Sequence, residues 1–171
     1  MLHDPVSTDP TAGDAAPSTL AFLLSQVGIH ASRQFAERIS DVGLHPALFR
    51  VLNLVDAAEG HSQQAIGEAI EVPPSRMVGL VDELEQRGLV ERRPHPSDRR
   101  VRTLYLTAKG RKTLERGREI AKAHERDLTK GMPAADRKRL TEYLQKIVDE
   151  QTIGRGIHPG MSGKPGAPGR D

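Results

Sequence analysis

Three observations predict a mainly α fold with a small β wing for these 171 residues. Apolar residues recur at helical spacing in six separate stretches. A short ribbon led by Gly88-Leu89-Val90 and rich in arginine falls between the fourth and fifth of them. Segments dominated by Pro, Gly and small polar residues bound both ends. The period of 3.6 marks the helices, and the turn formers mark their limits.

Along the chain, Met1 to Pro17 carries Pro, Thr, Asp, Gly and Ala and too little apolar surface to repay ordering, so 1–17 is expected to be a disordered tail. Ser18 is the expected cap of a first helix with Leu20, Leu23, Leu24, Val27, Phe35 and Ile39 on its apolar face. A second helix starts near Pro46 and carries Leu48, Phe49, Val51, Leu52 and Val55. Ser62 to Ile70 and Pro74 to Gln86 read as two helices joined by a three-residue turn. In the latter, Met77, Leu80, Val81 and Leu84 at i, i+3, i+4 and i+7 face a core, which turns Ser75, Arg76, Val78, Gly79, Asp82 and Glu83 outward.

The ribbon follows, with strands at Gly88 to Arg93 and Thr103 to Thr107 around the loop Pro94 to Arg102. Thr107 caps a long fifth helix, Ala108 to Lys130, whose sparse stripe (Leu114, Ile120, Ala121, Ala123, Leu128) is expected to bury little within one chain and to act as a strut. Asp136 begins the packing stretch of the last helix, with Leu140, Tyr143, Leu144, Ile147 and Val148. The first and last helices thus present apolar faces that a second copy of the chain would cover. Gly154 to Asp171 repeats the composition of a tail.

Helix, turn, helix and basic ribbon are the parts of a winged helix-turn-helix in chain order. The organisation expected is a winged helix-turn-helix DNA-binding domain at 46–107 and a helical dimerisation domain from 18–45 and 108–150. Disordered tails are expected at 1–17 and 151–171.

Net charge is only +2, but eleven basic residues stand against three acidic ones between Arg87 and Arg118. That local excess suits phosphate contacts, which draw affinity from counterion release. With no cysteine there is no disulfide, thiolate metal site or cysteine redox switch. No apolar run approaches the roughly 18 residues of a membrane span, and the first residues lack a secretory pattern, so a cytoplasmic location is expected. No glycine-rich phosphate loop, metal-ligand cluster or nucleophile elbow occurs, and Ser62 beside His61 is adjacency rather than a triad. No catalysis, cofactor or metal is expected.

In the fourth helix, Arg76 is the candidate for a guanine contact and Val78 for a thymine methyl, with Pro74, Ser75 and Gly79 beside them. Ser62, Gln63 and Gln64 open the third helix, where free N–H groups suit a phosphate. In the wing, Asp98 lies two residues before Arg100, a spacing at which a carboxylate can hold a guanidinium in a bidentate pair for a narrow minor groove. Arg92, Arg93, Arg99 and Arg102 are expected to share phosphate contacts, strand alternation turning some of them away.

Gly88-Leu89-Val90-Glu91-Arg92-Arg93, Asp98-Arg99-Arg100 and Leu104-Tyr105-Leu106-Thr107 with Gly110 together resemble the signature of the multiple-antibiotic-resistance regulator (MarR) family. The resemblance runs from about Phe35 to Lys112. It implies a dimer built by the first, fifth and sixth helices and a minor-groove role for Asp98 and Arg100. It also implies a repressor released by a small ligand bound between the dimer helices and the winged domain. The family often has Ser or Thr at the positions of Pro73 and Arg76 and Arg at that of Gly79, so base reading here is expected to lean more on the wing. Candidates for the ligand site are Phe22, His30, Phe49 and Leu52, with Leu23 and Arg50 nearby. His30, His45, His61 and His124 show no tight metal spacing. The expected partners are a pseudo-palindromic double-stranded DNA operator, a second copy of the chain and a small-molecule effector. The alternative is a ligand-independent DNA-binding or architectural protein.

Overall fold

The computed structural model of the chain describes residues 19–68, 72–95, 97–98, 100–151 and 153. The tails expected at 1–17 and 151–171 lie outside the described residues, Gln151 and Ile153 excepted, as does Ser18. Helix α1, Leu20–Ser40, is capped by Thr19, whose hydroxyl oxygen accepts from the Phe22 N–H at 3.3 Å. Helix α2, Pro46–Ala57, starts with proline where no N–H is needed, and the His45 ring accepts from the Leu48 N–H. Helices α3, Gln63–Glu68, and α4, Pro74–Gln86, follow.

Strands β1, Val90–Pro94, and β2, Arg102–Leu106, pair antiparallel with Val90 opposite Leu106 and Pro94 opposite Arg102. Ser62 adds an isolated bridge to Thr103, so the entry to α3 is stitched to the wing's second strand. Helix α5, Ala108–Leu128, and helix α6, Ala134–Glu150, complete the chain.

One core gathers α2, α4 and the ribbon. Leu48, Leu52, Met77, Leu84 and Leu104 are buried there, with Ile39 of α1 and Leu114 of α5 closing its far side. Each such side chain contributes about 1.5–3 kcal/mol through burial. Thr103, 1% exposed, lies among them because its hydroxyl donates to the Arg93 carbonyl at 3.1 Å. Between α4 and β1, Gly88 takes φ +67, letting the Leu89 N–H return to the Leu84 carbonyl at 2.9 Å and turn the chain into the wing.

The expectation that α5 buries little within one chain is corrected by the structure. Its contacts run through glycines that an apolar count passes over. Gly110 sits so close to the Leu89 carbonyl that a Cβ would come within 1.9 Å of its oxygen. Gly117 lies against Phe49 and Ile39 in the same way, and α5 packs on α1, α2 and β2. By contrast α6 has no buried residue, and Leu20, Phe22, Leu23, Val27 and Ile29 of α1 are exposed.

Candidate nucleic-acid interface

The exposed side of α4 follows from its core stripe. With Met77, Leu80, Val81 and Leu84 buried, residues Pro74, Ser75, Arg76, Val78 and Gly79 form a solvent-facing strip at its amino-terminal end. Val78 is 43% exposed, and a Cβ added at Gly79 would meet nothing within 4 Å. No side chain caps the helix, whose N-cap is Pro73; Pro74 has no N–H and the Arg76 N–H bonds the Pro73 carbonyl at 3.0 Å, which leaves the Ser75 N–H as the free donor of the first turn. Ser62 caps α3 by accepting from the Ala65 N–H at 3.1 Å, while Gln64 donates to Glu68 at 2.9 Å.

The wing tip is a closed turn. The Val101 N–H donates to the Asp98 carbonyl at 3.0 Å and the His95 N–H to the Val101 carbonyl at 2.9 Å. Asp98 and Arg100 meet, though not as the bidentate pair expected. A single carboxylate oxygen, Oδ1, accepts both the Arg100 backbone N–H at 3.0 Å and its Nε at 3.3 Å. These bonds, the backbone one foremost, hold the Asp98 carboxyl below its usual range. The Arg100 side chain remains 91% exposed. Arg102 is exposed on β2, whereas Arg99 lies outside the described residues.

Strand alternation separates Arg93 from Arg92. Arg93 pairs with Glu91 and stacks over Tyr105 at 4.4 Å from the ring centre, its side chain 57% exposed. Arg92 points to the opposite face and is 19% exposed. It bonds Asp82 at 2.5 Å, Gln63 at 3.0 Å and the Glu85 carboxylate. The expected phosphate contact by Arg92 therefore meets a guanidinium already shared among α3 and α4. The second outward acid of α4, Glu83, is also occupied. Burial raises its carboxyl, but bonds from Arg87 and His45 outweigh this and hold it below the ordinary value.

Glu59 was not singled out by sequence reasoning, because nothing in its spacing marks it. It accepts from the Leu106 backbone N–H at 3.0 Å, and its two carboxylate oxygens accept from the single Arg111 Nη2 at 2.7 and 2.9 Å. The Arg111 bonds lead in holding its carboxyl low, and the root of the wing is thereby tied to α2 and α5 together. Arg118 adds a bond to Asp56 at 2.8 Å.

The four candidates for a ligand site have unlike surroundings among the described residues. Leu52 is core with no exposure, and Phe49 packs edge-on to Phe35 at 5.7 Å. Phe22 is 47% exposed. His30 lines a groove on α1 with Val27, Ile29, Arg33 and Leu128. A single periodic stripe on each helix cannot tell which face of α1 meets α2. Near that groove His124 is 9% exposed and tilted against Phe35 at 5.6 Å, its Nδ1 without a hydrogen-bond partner. Burial first, then the Arg38 charge, pushes the His124 ring below its ordinary value.

The profile of the MarR family matches residues 42–101, from the loop before α2 to the wing tip. The chain is 33% identical over 129 residues to a transcriptional regulatory protein for the hcr operon of Thauera aromatica, covering 75% of this chain and 78% of that protein. Among solved structures it resembles the transcriptional repressor CouR bound to a 23-mer DNA duplex, with 36% identity and a TM-score of 0.69. That match covers 76% of this chain and 92% of the other. CouR from Rhodococcus jostii RHA1 bound to p-coumaroyl-CoA matches at 34% identity and a TM-score of 0.64, over the same shares of the two chains.

Proposed function

The chain belongs to the MarR family of transcriptional regulators, and from that membership we propose a homodimeric repressor of a pseudo-palindromic operator, released by a small molecule. The observation that carries the reading is the exposed Arg100, steadied by Asp98 at the wing tip, together with the solvent-facing strip at the start of α4. A basic wing tip and an exposed helix amino terminus each suit a groove and its flanking phosphates. In this reading Arg76, Ser75, Pro74, Val78 and Gly79 meet base edges or the adjacent sugar-phosphate. Arg100 enters the minor groove. Ser62, Gln63, Gln64, Arg93 and Arg102 position the backbone, Gln63 through its amide nitrogen.

Residues 18–45 and 108–150 supply the dimer, and the wing together with α4 repeats at two half-sites about one helical turn apart. The effector is proposed to favour a dimer in which that spacing is wrong, weakening DNA binding by its differential affinity. The likeness to CouR with p-coumaroyl-CoA makes aromatic acyl-CoA thioesters the first effectors to test. The reading assigns the chain no enzymatic activity and places it in the cytoplasm beside its DNA. Among the described residues, no helix is long and apolar enough to cross a membrane.

Nuclease footprinting on the region upstream of the chain's own gene, with p-coumaroyl-CoA added in a second series, tests this. Two protected half-sites about one turn apart that reopen with the thioester are expected. Protection without half-sites would contradict the operator reading, and protection that no acyl-CoA relieves would contradict this effector class.

A further inference from the structure

Arg92 stands at the root of the wing, yet none of its contacts face outward. Its Nη2 bonds Asp82 at 2.5 Å and Gln63 at 3.0 Å, and its Nη1 bonds Glu85. Asp82 and Glu85 lie one turn apart on α4, so one planar fork spans two carboxylates of the same helix and reaches α3 as well. Both acids are near half exposed, at 47% and 43%, whereas Arg92 is 19% exposed.

Two consequences follow from this geometry. Arg92 would have to release two carboxylates before it could hold a phosphate, exchanging formed charge-assisted bonds for new ones. Without it, the helix presented to a polyanion would carry two unpaired negative charges, and strand β1 would lose its charge-assisted bonds to α4 and its bond to Gln63 of α3.

We propose that Arg92 binds no phosphate and is the positioning residue of the interface, clamping the wing root to α3 and α4 while neutralising Asp82 and Glu85. The proposal rests on the DNA-binding reading above.

The test compares wild type, Arg92→Gln, Arg92→Lys and the triple variant Arg92→Gln, Asp82→Asn, Glu85→Gln. The full-length proteins are first checked for folding by circular dichroism. Operator affinity is then measured across a salt series. Arg92→Gln is expected to bind about tenfold or more weakly, with the slope of log affinity against log salt unchanged. Arg92→Lys keeps a charge but not the fork, and is expected to lose affinity with the slope again unchanged. It answers the question if Arg92→Gln does not fold. The triple variant removes the unpaired acids but leaves the clamp broken, so it is expected to regain part of the loss. A slope reduced by about one, with no recovery in the triple variant, would mark a phosphate ligand and overturn the proposal. So would wild-type affinity in both single variants. A wild-type chain that binds no operator defeats the DNA-binding reading itself, and the proposal with it. Wild-type binding with an unaffected Arg92→Gln defeats the proposal alone.

Discussion

Arg100 and Arg76 divide the proposed reading of DNA between them, and their surroundings give each a different signature. Arg100 is 91% exposed and, among the described residues, is steadied by Asp98, so little native structure depends on it. Arg100→Ala is expected to weaken operator binding by about 1–3 kcal/mol with an unchanged melting temperature. Fluorescence anisotropy and a thermal melt check the two halves. Arg76→Ala is expected to relax discrimination at one base position, seen by titrating a set of single-substitution operators. Equal losses on every operator would assign Arg76 to a phosphate instead. The Asp98–Arg100 contact was legible in the sequence because two residues of separation leave little choice of partner. The inward turn of Arg92 was not, since its partners Asp82 and Glu85 come from another element and alternation alone does not say which face meets α4.

At the scale of elements, the junctions of α5 set what the fold tolerates. Leu89 passes under Gly110 with no room for a methyl, and the same carbonyl accepts the Thr107 N–H at 3.1 Å, so the backbone there cannot yield freely. Gly110→Ala is expected to cost roughly 1–3 kcal/mol, read as a lowered midpoint in urea. An unchanged midpoint would mean that α5 packs less tightly on the wing root. At the other end of α5, burial beside Phe35 lowers the His124 ring below its ordinary value. Its native value lies below the ordinary 6.5, so as pH falls through 6.5 the unfolded chain takes up a proton that the native chain refuses. Stability is therefore complete above that value and declines below it until the lowered native value is reached. His124→Gln is expected to flatten the fall in melting temperature between neutrality and about pH 5. An equally steep fall would place the acid sensitivity elsewhere. The helices and ribbon were legible from periodicity and turn residues. The α5 contacts were not, because glycine carries no hydropathy signal and its close approach shows only in three dimensions.

For the whole molecule, the exposed apolar residues at the start of α1 and along α6 are the clearest unfinished surface. Leu23 is 45% exposed and Leu144 37%, on helices whose apolar spacing is otherwise that of buried faces. In the proposed dimer these faces meet. Leu144→Asp is expected to shift the chain from dimer to monomer in light scattering and to weaken operator binding with it. A dimer that survives the change would remove α6 from the interface.

The central claim is specific recognition of a two-fold operator. The measurement that tests it most directly is a fluorescence titration of a pseudo-palindromic duplex from the gene's upstream region against a scrambled duplex of equal length. It is run at several salt concentrations, because much of any protein's DNA affinity is salt-dependent and indifferent to sequence. The account predicts tight binding at two chains per operator, with a preference over the scramble that persists as salt rises. Equal affinity for both duplexes, falling steeply together with salt, would contradict it.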